Sequence, residues 1–123
     1  MTETEIATLV DRFYAKVRRD DDLGPVFNGA IDDWPHHLKK LQAFWSSVML
    51  GTGRYKGSPM AQHVKHKDAI DPAMFERWLA LWRETAAELL SPEDAAEIIV
   101  KAERIGESLS LALFFRLGRE RAA

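Results

Sequence analysis

The chain has 123 residues, of which 46% are hydrophobic and 29% charged, and that suits one compact domain over 1–123 with a sizeable core. Its formal net charge of −2 lacks the basic excess that grips nucleic acid. The absence of cysteine excludes disulfides, zinc–thiolate sites, iron–sulfur clusters and cysteine-attached cofactors.

The opening "MTETEIATLV" places acidic residues before a short apolar run, where a secretory leader has a basic start and a longer apolar stretch. No run approaches the roughly 18 apolar residues of a membrane span. The expectation is a soluble, cytoplasmic protein that meets neither membrane nor nucleic acid.

The first helix is predicted over residues 5–19. Ile6, Val10, Phe13 and Val17 keep the i, i+4, i+7, i+11 spacing of one helical face, and "RDDDLGP" ends it. A short "PVFN" segment follows. "IDDWPHH" then has aspartates in the capping region and Pro35 just inside, so a helix starts there and runs to about residue 50. "GTGRYKGS" is a glycine-punctuated loop. Ser58-Pro59 opens a short helix and Asp71-Pro72 a long one. Ser91-Pro92-Glu93-Asp94 opens the last, with an acid at the capping-box position. That helix carries Ile98, Ala102, Ile105, Leu109 and Ala112 on one face and is expected to fray after Leu117. No alternating β-branched run appears, so the fold class is all-α.

Helical geometry sorts the polar residues. His37, Leu41, Phe44 and Val48 share a face, so His37 points where an apolar stripe points. His36 has Lys40, Ala43 and Ser47 for companions and points to water. A lone inward histidine is also what a core residue satisfied by one carbonyl looks like. Tyr14 borders the first stripe, between Val10 and Val17, as a half-buried tyrosine would. Trp78 shares a face with Phe75, Trp82 and Leu89, as plain core would. Singly these mean little; together they bring polar-capable side chains inward from three helices.

"GSPMAQHVKH" adds two histidines on a helix too short to stand alone. His63 lies beside an apolar patch with Pro59 and Met60. His66 sits between Lys65 and Lys67 and reads as more exposed. The HxxH pair alone would need further ligands to hold a metal ion. No acid lies on the inner face of the His37 helix, and the Glu-x-x-His repeat of di-iron bundles is missing. A large planar cofactor explains more. Haem needs an aromatic-lined apolar slot, one strong axial nitrogen, and a distal side of set polarity.

Four stretches then resemble one family, the truncated haemoglobins. "LVDRFYAKVRRDDDLGPVFN" (residues 9–28) resembles their opening, with a phenylalanine–tyrosine pair followed by "LGPxF". "HLKKLQAFWSSVMLG" (37–51) resembles the distal helix, "YKGSPMAQH" (55–63) the segment ending in the haem-ligating histidine, and "FERWLALW" (75–82) the helix with the distal tryptophan. The combination is similar to group III and covers nearly the whole chain in the right order.

The resemblance implies a globin-like two-over-two helical sandwich around haem b. It implies His63 as proximal iron ligand and Tyr14, His37 and Trp78 as distal residues. Phe27, Leu41, Phe44, Trp45 and Met60 would line the slot. Lys40, and Tyr55 or Arg54, are candidates for the haem propionates. The register "FxxW" favours Trp78 over Trp82, and His66 lies three residues past the ligand position. The implied partners are oxygen, nitric oxide, carbon monoxide or another small haem ligand, with a separate reductase. Distal donors that hold oxygen tightly suit nitric oxide dioxygenase- or peroxidase-like chemistry better than bulk oxygen transport. Two other readings are a haem-based sensor or carrier acting through a partner protein, and a cofactor-free helical interaction module whose tryptophans are core.

Overall fold

The structure is a computed structural model that describes residues 1–115; the expected fraying after Leu117 lies outside the described residues. Within them every regular element is helical: α1 (Glu3–Arg19), α2 (Gly24–Ala30), α3 (Trp34–Leu50), α4 (Pro59–Lys65), α5 (Pro72–Leu89) and α6 (Pro92–Ser110). A 3-10 turn at Lys67–Ala69 follows α4, and a π turn at Leu111–Phe115 continues α6.

Local chemistry accounts for the helix starts. The hydroxyls of Ser58 and Ser91 and the carboxylates of Asp33 and Asp71 each accept the backbone N–H three residues on, with proline just inside. Each satisfies one of the four donors that a helix start leaves free. α1 begins two residues earlier than its apolar stripe suggested. Thr2 and Glu5 form a reciprocal capping box, which extends the helix past its last apolar turn. "PVFN" forms α2, wedged in by Gly24: a Cβ there would lie 2.9 Å from the Arg18 carbonyl oxygen.

α1 and α3 make one pair and α5 and α6 the other, with α1 lying on α5. This is the two-over-two sandwich, and its core runs along α1. Ile6, Leu9, Val10, Phe13, Tyr14 and Val17 are all buried there, the outcome expected of an amphipathic stripe. On α6 the buried face is Ala95, Ile98, Ala102, Gly106 and Leu109, with Ile105 only half-buried. No helix among the described residues is long and apolar enough to cross a membrane.

Candidate functional site

Four helices turn apolar side chains inward without closing over them. Leu41, Phe44 and Val48 on α3 stay half-buried, as do Phe75 and Trp78 on α5, Met60 on α4 and Phe27 on α2. α4 buries none of its own residues and rests against the π turn after α6. Inward apolar residues left half-exposed line an open slot, since a finished core would cover them.

At one side of this slot lies Tyr14, only 4% exposed. Its ring packs edge-on to Phe13 (4.7 Å) and tilted against Phe27 (5.9 Å) and Trp34 (6.1 Å). Burial raises the Tyr14 pKa well above that of an ordinary phenol, and a hydrogen bond with the Trp78 side chain works the other way. An indole only donates. With Trp78 donating to the Tyr14 oxygen, the phenolic proton is left to be given to something else.

His37 is half-buried on the same side, edge-on to Trp34 at 5.9 Å. Burial lowers its pKa, and the nearby charges of Lys40 and His36 lower it further. Trp34 itself is buried beneath the Arg18 guanidinium, which lies 4.6 Å from its ring. Trp34 is not among the residues that the sequence motifs single out. The signal was its place three residues before His37, which puts the two on one helical face. Lys40 and His36 are exposed.

The tryptophans take different places. Trp78 is half-buried at the slot, whereas Trp82 is wholly buried behind it, and its indole Nε1 has no hydrogen-bond partner among the described residues. Trp45, expected to line the slot, is 2% exposed and lies behind Phe44, stacked on Trp82 at 4.5 Å.

On α4, the His63 Nδ1 donates to the Pro59 carbonyl oxygen at 2.7 Å. The bond fixes the tautomer and leaves the Nε2 lone pair for a ligand. The His63 ring faces Phe75 at 6.4 Å, and Phe75 in turn meets Phe114 edge-on at 6.1 Å. Phe75 and Phe114 thus join the site from α5 and the π turn. His66 is half-buried, as is His63. It ends α4, and the 3-10 turn folds back there, with the Ala69 N–H on the His66 carbonyl. Among the described residues, no three His, Asp or Glu side chains come together to hold a bare metal ion.

The loop after α3 is tied down at Arg54 and Tyr55. The Tyr55 N–H donates to the Ser47 hydroxyl at 2.9 Å, and the Tyr55 ring stands edge-on to Phe44 at 5.2 Å. Partial burial raises the Tyr55 pKa. Arg54 pairs with the Glu3 carboxylate, which also accepts the buried Ser46 hydroxyl.

The residues present fit a planar iron cofactor: an oriented imidazole with a free nitrogen, a buried hydroxyl and an indole from other helices, and apolar walls between.

Comparisons with known proteins point the same way. Residues 2–106 match the model of the bacterial-like globin family. The chain is 34% identical over 118 residues to the group 3 truncated hemoglobin ctb of Campylobacter jejuni, covering 93% of this chain and 92% of that protein. The crystal structure of the group III truncated hemoglobin from Campylobacter jejuni superposes with a TM-score of 0.84 at 36% identity, over 93% of this chain and 92% of that one. The chain belongs to the bacterial-like globins and, within them, to the group III truncated haemoglobins.

Proposed function

We propose that the slot between α3, α4 and α5 holds haem b on His63, and that Tyr14, His37 and Trp78 act on the small ligand bound there. As a globin, the chain binds such a ligand at haem; the choice of haem b, these residues and the chemistry are our inference. When bound, haem iron supplies reversible capture of a diatomic ligand and a route for electrons to it.

The chain's own residues do the rest. His63 presents Nε2 because Pro59 holds its Nδ1–H. Tyr14 supports the reading most directly, as a buried hydroxyl whose proton is free to be donated. A ligand that gains negative charge on binding, as oxygen does, is stabilised by that proton by about 1 kcal/mol or more. Phe27, Leu41, Phe44 and Met60 keep water out, which strengthens the bond. Such a pocket releases oxygen slowly. Slow release suits reaction of held oxygen with nitric oxide, or reduction of peroxide, better than transport. A separate reductase would supply the electrons. Tyr55, beside Phe44, and Lys40, exposed on α3, would meet the carboxylates of the cofactor's rim.

The test is an absorption spectrum of the purified protein, oxidised, reduced and with carbon monoxide, beside a His63→Ala variant. A Soret band that shifts with each treatment and is lost or altered in the variant supports the reading. A colourless protein whose melting temperature is unchanged by added haem overturns it and leaves a helical module with a tryptophan-rich core.

A further inference from the structure

The rings of Trp78, Trp82 and Trp45 form a stack through the core. Trp78 and Trp82 are 5.7 Å apart and 7° from parallel; Trp82 and Trp45 are 4.5 Å apart and 22° from parallel. Phe13 braces it edge-on to Trp78 (5.5 Å) and to Trp82 (4.7 Å). From Trp45 the rings continue through Phe44 (5.4 Å) to Tyr55 (5.2 Å). Tyr55 is half-buried in the loop and reaches solvent. One end of the stack is therefore at the slot and the other leads to the surface.

Packing alone would explain one such pair, since aromatic rings favour edge-on and offset contacts. It does not explain the Trp82 Nε1, a buried donor with no partner among the described residues. Native cores satisfy nearly all such groups. Here the orphan has a chemical consequence. An indole that loses an electron becomes a strong acid at its N–H, and with a base nearby it gives up the proton and traps the oxidation in place. Trp82 has no acceptor among the described residues, so an oxidised Trp82 keeps its proton and stays able to take an electron from its neighbour. Tyr55 is the reverse, because its phenolic proton has water to go to.

We propose that Trp78, Trp82 and Trp45 are an electron relay that carries oxidising equivalents from the slot to Tyr55. The proposal rests on haem binding in the slot, and hydrogen peroxide is the oxidant. Each equivalent draws an electron from Trp78, which is refilled in turn from Trp82, Trp45 and, across Phe44, Tyr55. Tyr55 releases its phenolic proton to water and becomes a phenoxyl radical. The sum is one hydrogen peroxide and two tyrosine phenols, oxidised in successive turns, giving two waters and two phenoxyl radicals. A one-electron reductant in solution, such as ascorbate, restores the phenol. The relay thus clears oxidising equivalents that would otherwise damage the pocket.

The test uses the haem-loaded ferric protein, its Soret band recorded first, mixed with one equivalent of hydrogen peroxide and frozen. Electron paramagnetic resonance should show a phenoxyl radical whose signal narrows when the protein is made with ring-deuterated tyrosine, a label that leaves the fold untouched. The signal should vanish in Tyr55→Phe. In Trp82→Phe the Tyr55 signal should fall at least tenfold, and mass spectrometry should find oxygenated Trp78 in its place. A tyrosyl signal that survives Tyr55→Phe, or no tyrosine-derived signal at all in the haem-loaded protein, overturns the relay and leaves haem binding standing. Undiminished Tyr55 oxidation in Trp82→Phe overturns the route. A protein that takes up no haem overturns the proposed function, and the relay with it.

Discussion

The Nδ1 of His63 stands 2.7 Å from the carbonyl oxygen of Pro59, four residues earlier on the same short helix. A carbonyl only accepts, so the proton sits on Nδ1 and Nε2 is bare. His63→Ala removes the one oriented nitrogen of α4 and should weaken haem uptake by more than the roughly 10–100-fold typical of losing a ligand's hydrogen-bond partner. Haem titration followed at the Soret band measures it. His63→Gly with added imidazole should recover the spectrum.

On the proposed function, Tyr14 and Trp78 work as a pair, the Trp78 side chain lowering the Tyr14 pKa against the effect of burial. Tyr14→Phe keeps the buried ring and deletes the proton. Loss of a bond of about 1–1.5 kcal/mol speeds oxygen release about 5- to 13-fold. Trp78→Phe should speed release less, and the double variant should fall short of the product of the two, as coupled neighbours do. Stopped-flow release rates decide; equal rates in wild type and Tyr14→Phe would remove Tyr14 from the ligand.

His37 brings a pH dependence to the stability of the fold. Burial, then Lys40 and His36, hold its pKa below the ordinary 6.5, and Arg18 lies across the neighbouring Trp34. The unfolded chain therefore takes up the His37 proton before the folded one does. Stability contributed by neutral His37 is full above about pH 6.5, falls as the pH drops below it, and levels off beneath the folded-state pKa. Urea midpoints between pH 7.5 and 5 should fall less steeply in His37→Gln than in wild type.

Gly24→Ala tests the corner between α1 and α2. The new methyl would lie 2.9 Å from the Arg18 carbonyl oxygen, and backbone cannot swing aside as a side chain can. The expected cost is about 1–3 kcal/mol, typical of overpacking, read as a lower urea midpoint with an unchanged slope. Gly29 makes a control, since nothing lies within 4 Å of its added methyl.

Much of this was legible in the residues. Caps and prolines marked four helix starts because cap chemistry is local. The period of α3 turned His37 inward and His36 outward, as the structure has them. Periodicity gives a direction and not what stands opposite, so it could not separate half-buried Trp78 from wholly buried Trp82, one turn apart on the same face. Nor could it show that Trp45 would find Trp82 from another helix. Trp34 escaped because a residue at a helix start reads as punctuation. α2 and the bend after His66 are too short to carry a period at all.

α4 buries no residue of its own and leans on a turn and an open slot. A segment with so little private packing draws its order from whatever it grips. Its amides should exchange with solvent fastest among the helices when the slot is empty and slow sharply once it is filled. On the proposed haem binding, α4 is then the last of the described helices to fold, and the cofactor is the template on which it does so.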